Sequence, residues 1–394
     1  MAKKRILMLG GAYSQIPAIV YAKKSGYEVI TCDYLPENPG HAYGDKYCNV
    51  STTDMTSVLG VAVELKIDGI VAYASDPAAP TAAFVSGALS LPGASCDAVR
   101  ILSEKDRFRE FLTLNDFSCP AFMKVSGNEP IDDSRLKNLN LPLYVKPVDS
   151  SGSKGMSKVY CYQDIGIAVK QALDASRCKR VIIEEHVETP YCQLHGDGFV
   201  EDGRLKFLGL CDHYFHDLAP IGSIYPTRQN PSVVQAVSDE IQRLIDLVGF
   251  ENGAINVEVR INSEDRLFLM EIGPRSGGNY VPQLMELGTG FDEVAAIVDQ
   301  SMGKKPRIDF TDRHRHCMQL IVGSKSPGHF KGLHLDAKVE NKVEKMYLHK
   351  KPGDPIGRYS DSAFVVAVLL VRGHNYSELQ EIMLNVNDYV KVEM

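Results

Sequence analysis

One stretch, residues 253–280, limits the possible folds of this chain more than any other. It reads GAINVEVRINSEDRLFLMEIGPRSGGNY. Two β-type runs, AINVEVRI and LFLMEIG, flank the polar turn NSED, and this pattern predicts a β-hairpin. Because pairing fixes which side chains face each other, the hairpin also predicts which polar groups meet.

Each run carries one glutamate, Glu258 in the first and Glu271 in the second. Strict alternation in the second run predicts that Glu271 shares a face with Leu267 and Leu269. If the runs pair, the two carboxylates point into the same space and repel unless a proton or a cation lies between them. Mg²⁺ takes a few carboxylates plus phosphate oxygens, so a metal site is one interpretation, and two solvated edge-strand glutamates are the other.

An arginine beside a glycine turn follows the second run. Arg275 precedes Gly277 and Gly278 by only a few residues. The planar guanidinium grips carboxylate or phosphate, and glycines let backbone N–H groups approach an anion. This turn therefore predicts an anion-binding site next to the paired acids.

Composition excludes several classes of protein. The 394 residues suggest two or three domains, and 44% hydrophobic and 24% charged residues are ordinary for a globular protein. A net charge of −7 without a basic block gives no support for nucleic-acid or acidic-membrane binding. The longest uncharged apolar run, 363–371, is too short to span a bilayer, and the N-terminal apolar stretch is too short for a signal peptide. Nine cysteines without a CxxC pair indicate reduced thiols in a cytoplasmic protein.

The first hundred residues alternate strand and helix patterns. An apolar strand at 3–10 ends in Gly10-Gly11, a helix follows at 14–25, and a second strand ends at Asp33. This order predicts a parallel sheet. The turn reads GGAYSQ rather than GxGxxG, so the dinucleotide fingerprint is absent, and an NAD-dependent oxidoreductase stays only as an alternative. Later runs predict a helix at 55–66, a strand at 69–74, a helix at 78–89 and a strand end at 90–95.

The next predicted helix has an unusual first turn. Ser103 is a candidate cap, and Asp106 is a weak capping-box acid. Lys105 falls in the first turn, where its charge opposes the helix dipole. This misfit suggests that the ammonium group has another partner, and a solvated surface lysine is the alternative.

Residues 141–162 predict two strands joined by a loop rich in glycine and serine. Lys146 lies on the first, otherwise apolar strand, and the loop VDSSGSKGM covers 148–156. Small residues let the backbone close around phosphates, and Lys146 supplies a counter-charge. The loop is not a P-loop, because GxxxxGK[ST] is missing, and an ordinary flexible hairpin loop is the alternative.

The strand VIIEE ends in two adjacent acids, Glu184 and Glu185. One acid can accept a bond from an amine while the backbone that follows presents N–H and C=O groups, a combination that can read an adenine edge. His213 and His216 form an HxxH pair without the HExxH pattern, so no zinc site is expected. A helix is predicted at 232–248. The tail from about 306 predicts antiparallel strands, a helix at 376–387 and a last strand.

The order of these motifs resembles that of the ATP-grasp superfamily. It is most similar to the branch with carbamoyl-phosphate synthase large subunits, biotin carboxylase, phosphoribosylglycinamide synthetase and amino-acid ligases. The likeness covers residues 1–305 well and the tail more loosely, with one such core only. It implies an α/β and α+β fold with a Rossmann-like pre-ATP-grasp domain at 1–100, an ATP-grasp domain at 101–305 (lid lobe about 115–187) and a C-terminal α+β domain at 306–394.

The resemblance also implies a role for each matching residue. Lys105 and Lys146 match lysines on the ATP phosphates, and Glu258 and Glu271 match carboxylates that hold Mg²⁺ or Mn²⁺. Arg275 matches the arginine that steadies an acylphosphate, and the resemblance implies that Arg275 and Lys146 are the catalytic residues. The remaining matches are the mobile loop Ser150, Ser151, Gly152, Ser153 and Gly155, the adenine contacts Glu184, Glu185 and Val187, and the substrate-binding turn Ser276, Gly277 and Gly278.

Two departures from the superfamily pattern accompany the implied function. Gly273 stands where many members have a metal-binding asparagine, and Tyr191 or Gln193 stands where the ribose-binding acid is usual. The resemblance implies an ATP-dependent ligase that joins a small carboxylate and an amine through an acylphosphate, in a protein that could be a homodimer. A non-catalytic ATP-binding protein of the same fold is the second alternative.

Overall fold

A computed structural model describes residues 3–127, 129–310 and 315–394. Within these ranges the strands form a four-stranded parallel sheet, a four-stranded antiparallel sheet, an eight-stranded antiparallel sheet and two two-stranded pairs. All nine cysteines are free thiols. None of the helices in the described ranges combines the length and the apolar character that a membrane span requires.

The N-terminal part is built on the parallel sheet, whose strand order is β3-β2-β1-β4. Apolar strands of such a sheet are covered on both faces, and the neighbouring residues Ile6 and Leu7 of β1 are accordingly both fully buried, in different core clusters. The elements are β1 (Arg5–Leu9), α1 (Ile16–Lys24), β2 (Glu28–Cys32), β3 (Lys46–Cys48), α2 (Met55–Leu65), β4 (Gly69–Val71), α3 (Ala79–Ala88) and α4 (Cys96–Ser103).

Two local predictions in this region are wrong. Residues 90–95 form a loop rather than a strand end, because Ser90 has a positive φ of 52° and Ser95 caps α4 by accepting from the Ala98 N–H. Ser103 does not cap the next helix, since it is the last residue of α4. The next helix, α5 (Lys105–Leu114), has Glu104 at its N-cap, and Asp106 pairs with Arg180 instead of closing a capping box.

The second sheet has the strand order β5-β8-β6-β7, and α7 packs on it. Its core combines strand side chains such as Val145 and Ile183 with helix side chains such as Ala172 of α7. The elements of this part are β5 (Phe122–Ser126), α6 (Asp133–Leu136), β6 (Leu143–Pro147), β7 (Ser157–Val159), α7 (Ile165–Ala175) and β8 (Arg180–Glu185).

The eight-stranded sheet, in the order β13-β12-β9-β10-β11-β14-β19-β17, runs through the rest of the chain. Helix α8 covers the face of β10, and α9 and α10 pack against β9, β14 and β12. Its first elements are β9 (Gln193–Glu201), β10 (Arg204–His216), β11 (Ala219–Tyr225), α8 (Pro231–Val248), β12 (Gly253–Ile261), β13 (Leu267–Gly273), α9 (Val281–Thr289) and α10 (Glu293–Ser301).

The C-terminal strands continue this same sheet. β14 pairs with β11, and the cluster of Met318, Leu369 and Leu379 shares one core with Tyr214 and Ile224. The boundaries proposed near residues 100 and 305 stay a prediction, since the sheet crosses the second one. The last elements are β14 (Cys317–Gly323), β15 (Gly328–His329), β16 (Gly332–Leu335), α11 (Ala337–Glu340), β17 (Val343–Leu348), β18 (Pro355–Ile356), β19 (Val365–Arg372), α12 (Tyr376–Leu384), α13 (Val386–Tyr389) and β20 (Val390–Glu393).

Candidate active site

A cavity of about 700 Å³ lies where the three large sheets meet. The residues singled out in the sequence separate into two groups around it. Those that line the cavity are Lys105, Lys146, Ser150, Ser151, Gly152, Ser153, Glu258, Glu271, Arg275 and Gly278. Those that do not line the cavity are Gly155, Glu184, Glu185, Val187, Ser276 and Gly277.

The predicted hairpin is confirmed, and it places Glu258 directly opposite Glu271. The predicted alternation is wrong, because a bulge adds Met270 to β13 between the partners of Glu258 and Val259. Leu267 and Leu269 consequently pack in the core, whereas Met270 and Glu271 line the cavity. The bulge is what turns the second carboxylate away from the core and toward the first.

The two facing acids create a local excess of negative charge. Burial, and then the charge of Glu271, raise the pKa of Glu258 to about 7. Lys105 lies 3.3 Å from Glu271 and donates to the Ser150 carbonyl at 2.9 Å. Burial opposes the charge on Lys105, but Glu271 and Asp76 outweigh it and raise its pKa. The ammonium that misfits the start of α5 therefore has its partners at this cavity.

Lys146 lies on β6 and also lines the cavity. Its ammonium group forms an ion pair with the carboxylate of Glu184. The second oxygen of Glu184 accepts from Arg109 Nε at 3.0 Å, and Arg109 Nη2 donates to the Met270 carbonyl at 2.8 Å. Burial alone would raise the pKa of Glu184, but Arg109 and Lys146 lower it to about 2. These two bonds use about half of the lone-pair sites of the carboxylate, so the role of adenine-amine acceptor that its match implies stays a prediction.

The loop between β6 and β7 lies against the cavity. Gly152, Ser153 and Gly155 have positive φ values of 65°, 63° and 72°, which glycine adopts readily and other residues rarely do. Ser153 Oγ donates to the Leu218 carbonyl at 3.0 Å, and a side chain at Gly152 would meet Ser362 Oγ. The loop is thus packed on the β10–β11 turn and on the C-terminal part, in a closed arrangement.

Arg275 is bound by an acid that the sequence analysis missed. Its Nε and Nη2 atoms donate to the two oxygens of Asp76 at 2.6 and 2.5 Å, and its Nη1 donates to the Ser276 carbonyl. Burial raises the pKa of Asp76, yet Arg275 outweighs burial and lowers it. Asp76 follows β4, and acids just beyond the carboxyl ends of parallel strands often lie at ligand sites, which was the available indication.

The turn after Arg275 is tightly packed. The Gly277 N–H donates to both oxygens of Asp197, at 2.8 and 2.9 Å. A Cβ atom on Gly277 would lie 2.6 Å from Val281 Cβ and 2.9 Å from Asn256 Nδ2, whereas one on Gly278 would meet nothing within 4 Å. Only the first of the two glycines is therefore required for close packing.

The Gly277→Ala variant is expected to lower the free energy of unfolding by about 1–3 kcal/mol, because the new methyl group overpacks the turn. Gly278→Ala is the matched control and should change it by less than about 0.5 kcal/mol. Urea denaturation of both variants measures the difference. Equal stabilities would contradict this account of the turn.

The two histidines of the HxxH pair are not brought together. His213 is buried and stacks on His195 with 4.4 Å between ring centroids, and both rings line the cavity. Burial, and then the charge of Arg275, lower the pKa of His195 to about 4, so this wall is neutral. His216 is exposed. Among the described residues no group of three or more acids, histidines or cysteines could hold a metal ion.

The strand end proposed to read adenine has its own contacts. The Glu185 carboxylate accepts from the Asn140 backbone and side chain, and the Val187 carbonyl accepts from Arg260. Gln193 links Glu258 and Arg260. Its amide nitrogen donates to Glu258 at 3.0 Å, and its amide oxygen accepts from Arg260 at 2.8 Å. A neutral amide thus stands at one of the positions suggested for the missing ribose acid, while Tyr191 is exposed.

The glycine turn of the parallel sheet is occupied by structural bonds. Asp33 accepts from the Gly11 N–H at 3.1 Å, from Asn38 Nδ2 at 2.7 Å and from the Leu35 N–H at 3.2 Å. Its carboxylate therefore already satisfies three donors of this chain, which explains an acid at this strand end without a dinucleotide.

Comparison with known proteins agrees with this geometry. Residues 139–283 match the family described as the ATP-grasp domain. The carbamoyl phosphate synthase large chain of Caldanaerobacter subterraneus subsp. tengcongensis is 25% identical over 306 residues, which are 74% of this chain and 27% of that protein. The match thus spans about a quarter of the length of that relative.

Solved structures show that the fold extends over the whole chain. An L-amino acid ligase from Bacillus licheniformis superposes with a TM-score of 0.82 at 18% identity, covering 100% of this chain and 99% of that one. The biotin carboxylase domain dimer of Hydrogenobacter thermophilus 2-oxoglutarate carboxylase, in complex with MgADP, gives 0.77 at 15% identity, covering 100% and 91%. The chain therefore has the ATP-grasp fold, and its residues 139–283 match the ATP-grasp domain family.

Proposed function

We propose that this protein is an ATP-dependent ligase that joins a small carboxylate to an amine through an acylphosphate. One observation carries the proposal. Two facing carboxylates, Glu258 and Glu271, and three cationic side chains, Lys105, Lys146 and Arg275, converge on a single cavity beneath a glycine-rich loop. Phosphoryl transfer is catalysed by positioning and by neutralising charge, which is the chemistry that this set of groups supplies.

The residues at the cavity fit a magnesium nucleotide. Glu258 and Glu271 would hold the cation, since Mg²⁺ accepts one or two protein carboxylates when phosphates and waters complete its shell. The raised pKa of Glu258 marks a charge excess that such a cation would relieve. When bound, the metal supplies charge neutralisation on the phosphates. The lack of an asparagine at Gly273 leaves that position of the shell to water.

The proposed reaction has two steps. A carboxylate oxygen of the first substrate bonds to the γ-phosphorus of ATP while the bond to the ADP oxygen breaks. The amine nitrogen of the second substrate then bonds to the acyl carbon, phosphate leaves, and the nitrogen loses a proton. Lys105, Lys146 and Arg275 would orient the phosphates and offset their charge, while the closed loop excludes the water that would hydrolyse the acylphosphate.

A screen of ADP release tests the proposal. Pairs of carboxylates and amines are added with Mg²⁺ and ATP, and ADP is measured against each substrate alone. We expect at least one pair to stimulate ADP release, and EDTA to abolish it. Nucleotide binding without stimulation by any pair would favour the non-catalytic ATP-binding protein, whereas tight NADH binding without ATP binding would favour the oxidoreductase.

A further inference from the structure

A second pair of acids lies buried behind the cavity wall. Asp197 on β9 and Glu293 in the first turn of α10 are both fully buried. Neither lines the cavity, and neither has a part in the phosphate chemistry described above. Burying two carboxyl groups side by side is costly, so their position calls for a physical reason.

Asp197 is the central acceptor of this region. Besides the two bonds from the Gly277 N–H, it accepts from Asn256 Nδ2 at 2.8 Å. These bonds join β9, β12 and the turn that carries Arg275 and Ser276. Bonds to a charged acceptor are stronger than neutral ones, so Asp197 fixes the orientation of the turn.

The acid next to Asp197 is Glu293, whose carboxyl oxygens receive no hydrogen bond from any residue that the structure describes. Within the described parts of the chain, the carboxyl oxygens of Glu293 meet no hydrogen-bond donor, and the acceptor that they face is Asp197. Two carboxyl groups can bond only when one is protonated. Burial, and then the charge of Asp197, raise the pKa of Glu293 well above its ordinary value. The other titratable groups facing the pair are Tyr73, Cys211 and Arg275.

We propose that Glu293 holds a proton that it donates to Asp197, and that this acid pair positions the Arg275–Gly278 turn. Asp197 and Glu293 are positioning residues that act through the Gly277 N–H rather than by touching a substrate. Loss of that proton leaves two buried negative charges facing each other, and the turn loosens. The part of the inference that concerns turnover rests on the proposed ligase function.

Hydrogen exchange of the intact chain, without nucleotide, tests the positioning directly. The readout is the protection factor of peptide 274–281, corrected for the intrinsic rate, at pH 7 and pH 10. Wild-type protection should fall about tenfold or more between the two pH values, the worth of a charge-assisted hydrogen bond. Glu293→Gln keeps a donor toward Asp197 but cannot ionise, so its protection should be high at both. Asp299→Asn, on the same helix and bonded to Tyr21, is the control and should follow the wild type.

Asp197→Ala should lower protection at both pH values. Because this substitution can also unfold the chain, Glu293→Gln is the variant that decides the test. If Glu293→Gln loses protection at pH 10 as the wild type does, or at pH 7 already, the proposal is overturned. The second readout is ADP release with Mg-ATP and a stimulating pair, for which Glu293→Gln should lack the alkaline decline of the wild type. Failure of every variant and the wild type to release ADP would refute the ligase function while the exchange result still decides the positioning role.

Discussion

Glu271→Gln is expected to abolish ADP release, lowering the rate by about 10³-fold or more, while the fold survives. The substitution keeps the shape of the side chain and removes one of the two facing charges. In the proposed site, the pair would then no longer hold a divalent cation against the phosphates. Folding should not suffer, because the change removes the repulsion that, after burial, raises the pKa of Glu258, and because Asp76 and Glu258 still offset the charge of Lys105.

The measurement is ADP release with Mg-ATP and the substrate pair found by the screen, alongside a thermal melt. Glu264→Gln provides the matched control, since Glu264 lies in the exposed turn of the same hairpin and does not line the cavity. It should keep wild-type turnover. Near-normal turnover of Glu271→Gln with Mg²⁺ present would remove the metal role from this pair.

Glu184→Gln is expected to have the largest effect on stability, lowering the free energy of unfolding by about 3–5 kcal/mol. Glu184 is fully buried between Arg109 and Lys146, and its two oxygens bond one cation each. An amide of the same shape leaves two cations without a counter-charge in the interior. The cost is the penalty of that uncompensated charge rather than the worth of one contact.

The difference in the free energy of unfolding between the wild type and Glu184→Gln depends on pH in a defined direction. The pKa of Glu184 is about 2 in the folded chain, below its ordinary value of 4.5, so the stabilisation of about 3 kcal/mol is fully present above about pH 5. It is lost as the pH falls toward 2, because the folded chain then also takes up the proton. Denaturant titrations of wild type and variant should therefore converge as the pH is lowered.

Glu185→Gln is the neighbouring control. Its side chain is partly exposed and bonds Asn140 rather than a cation, so the substitution should cost less than about 1 kcal/mol. A difference between Glu184→Gln and wild type that is as small as this control, or that does not change with pH, would contradict the buried charge cluster.

The sequence predicted the local parts of the site well. The hairpin, the strand with Lys146 and the glycine-rich loop all follow from short runs of sequence with a clear pattern. The misplaced charge of Lys105 correctly indicated a partner outside its helix. Each of these features depends on residues that are close together in the chain, so a short stretch of sequence is enough to predict it.

The parts that could not be predicted depend on long-range packing. Asp76 meets Arg275 across 199 residues, and Asp197 meets Gly277 across 80, distances in the chain at which no periodicity connects two residues. The bulge at Met270 changes which side of β13 the glutamate occupies, and a one-residue irregularity leaves no mark in an alternating pattern. The predicted cap at Ser103 was wrong for a local reason. Helix α4 includes Ser103 and ends just before Glu104, so Ser103 cannot begin the next helix.

The most direct test of the central claim is a crystal structure of this chain with a non-hydrolysable ATP analogue and Mn²⁺, whose anomalous scattering locates the metal. The account predicts a triphosphate between Lys105 and Lys146 and a metal peak bridged by Glu258 and Glu271. A triphosphate bound elsewhere, or a metal peak away from this glutamate pair, would contradict it.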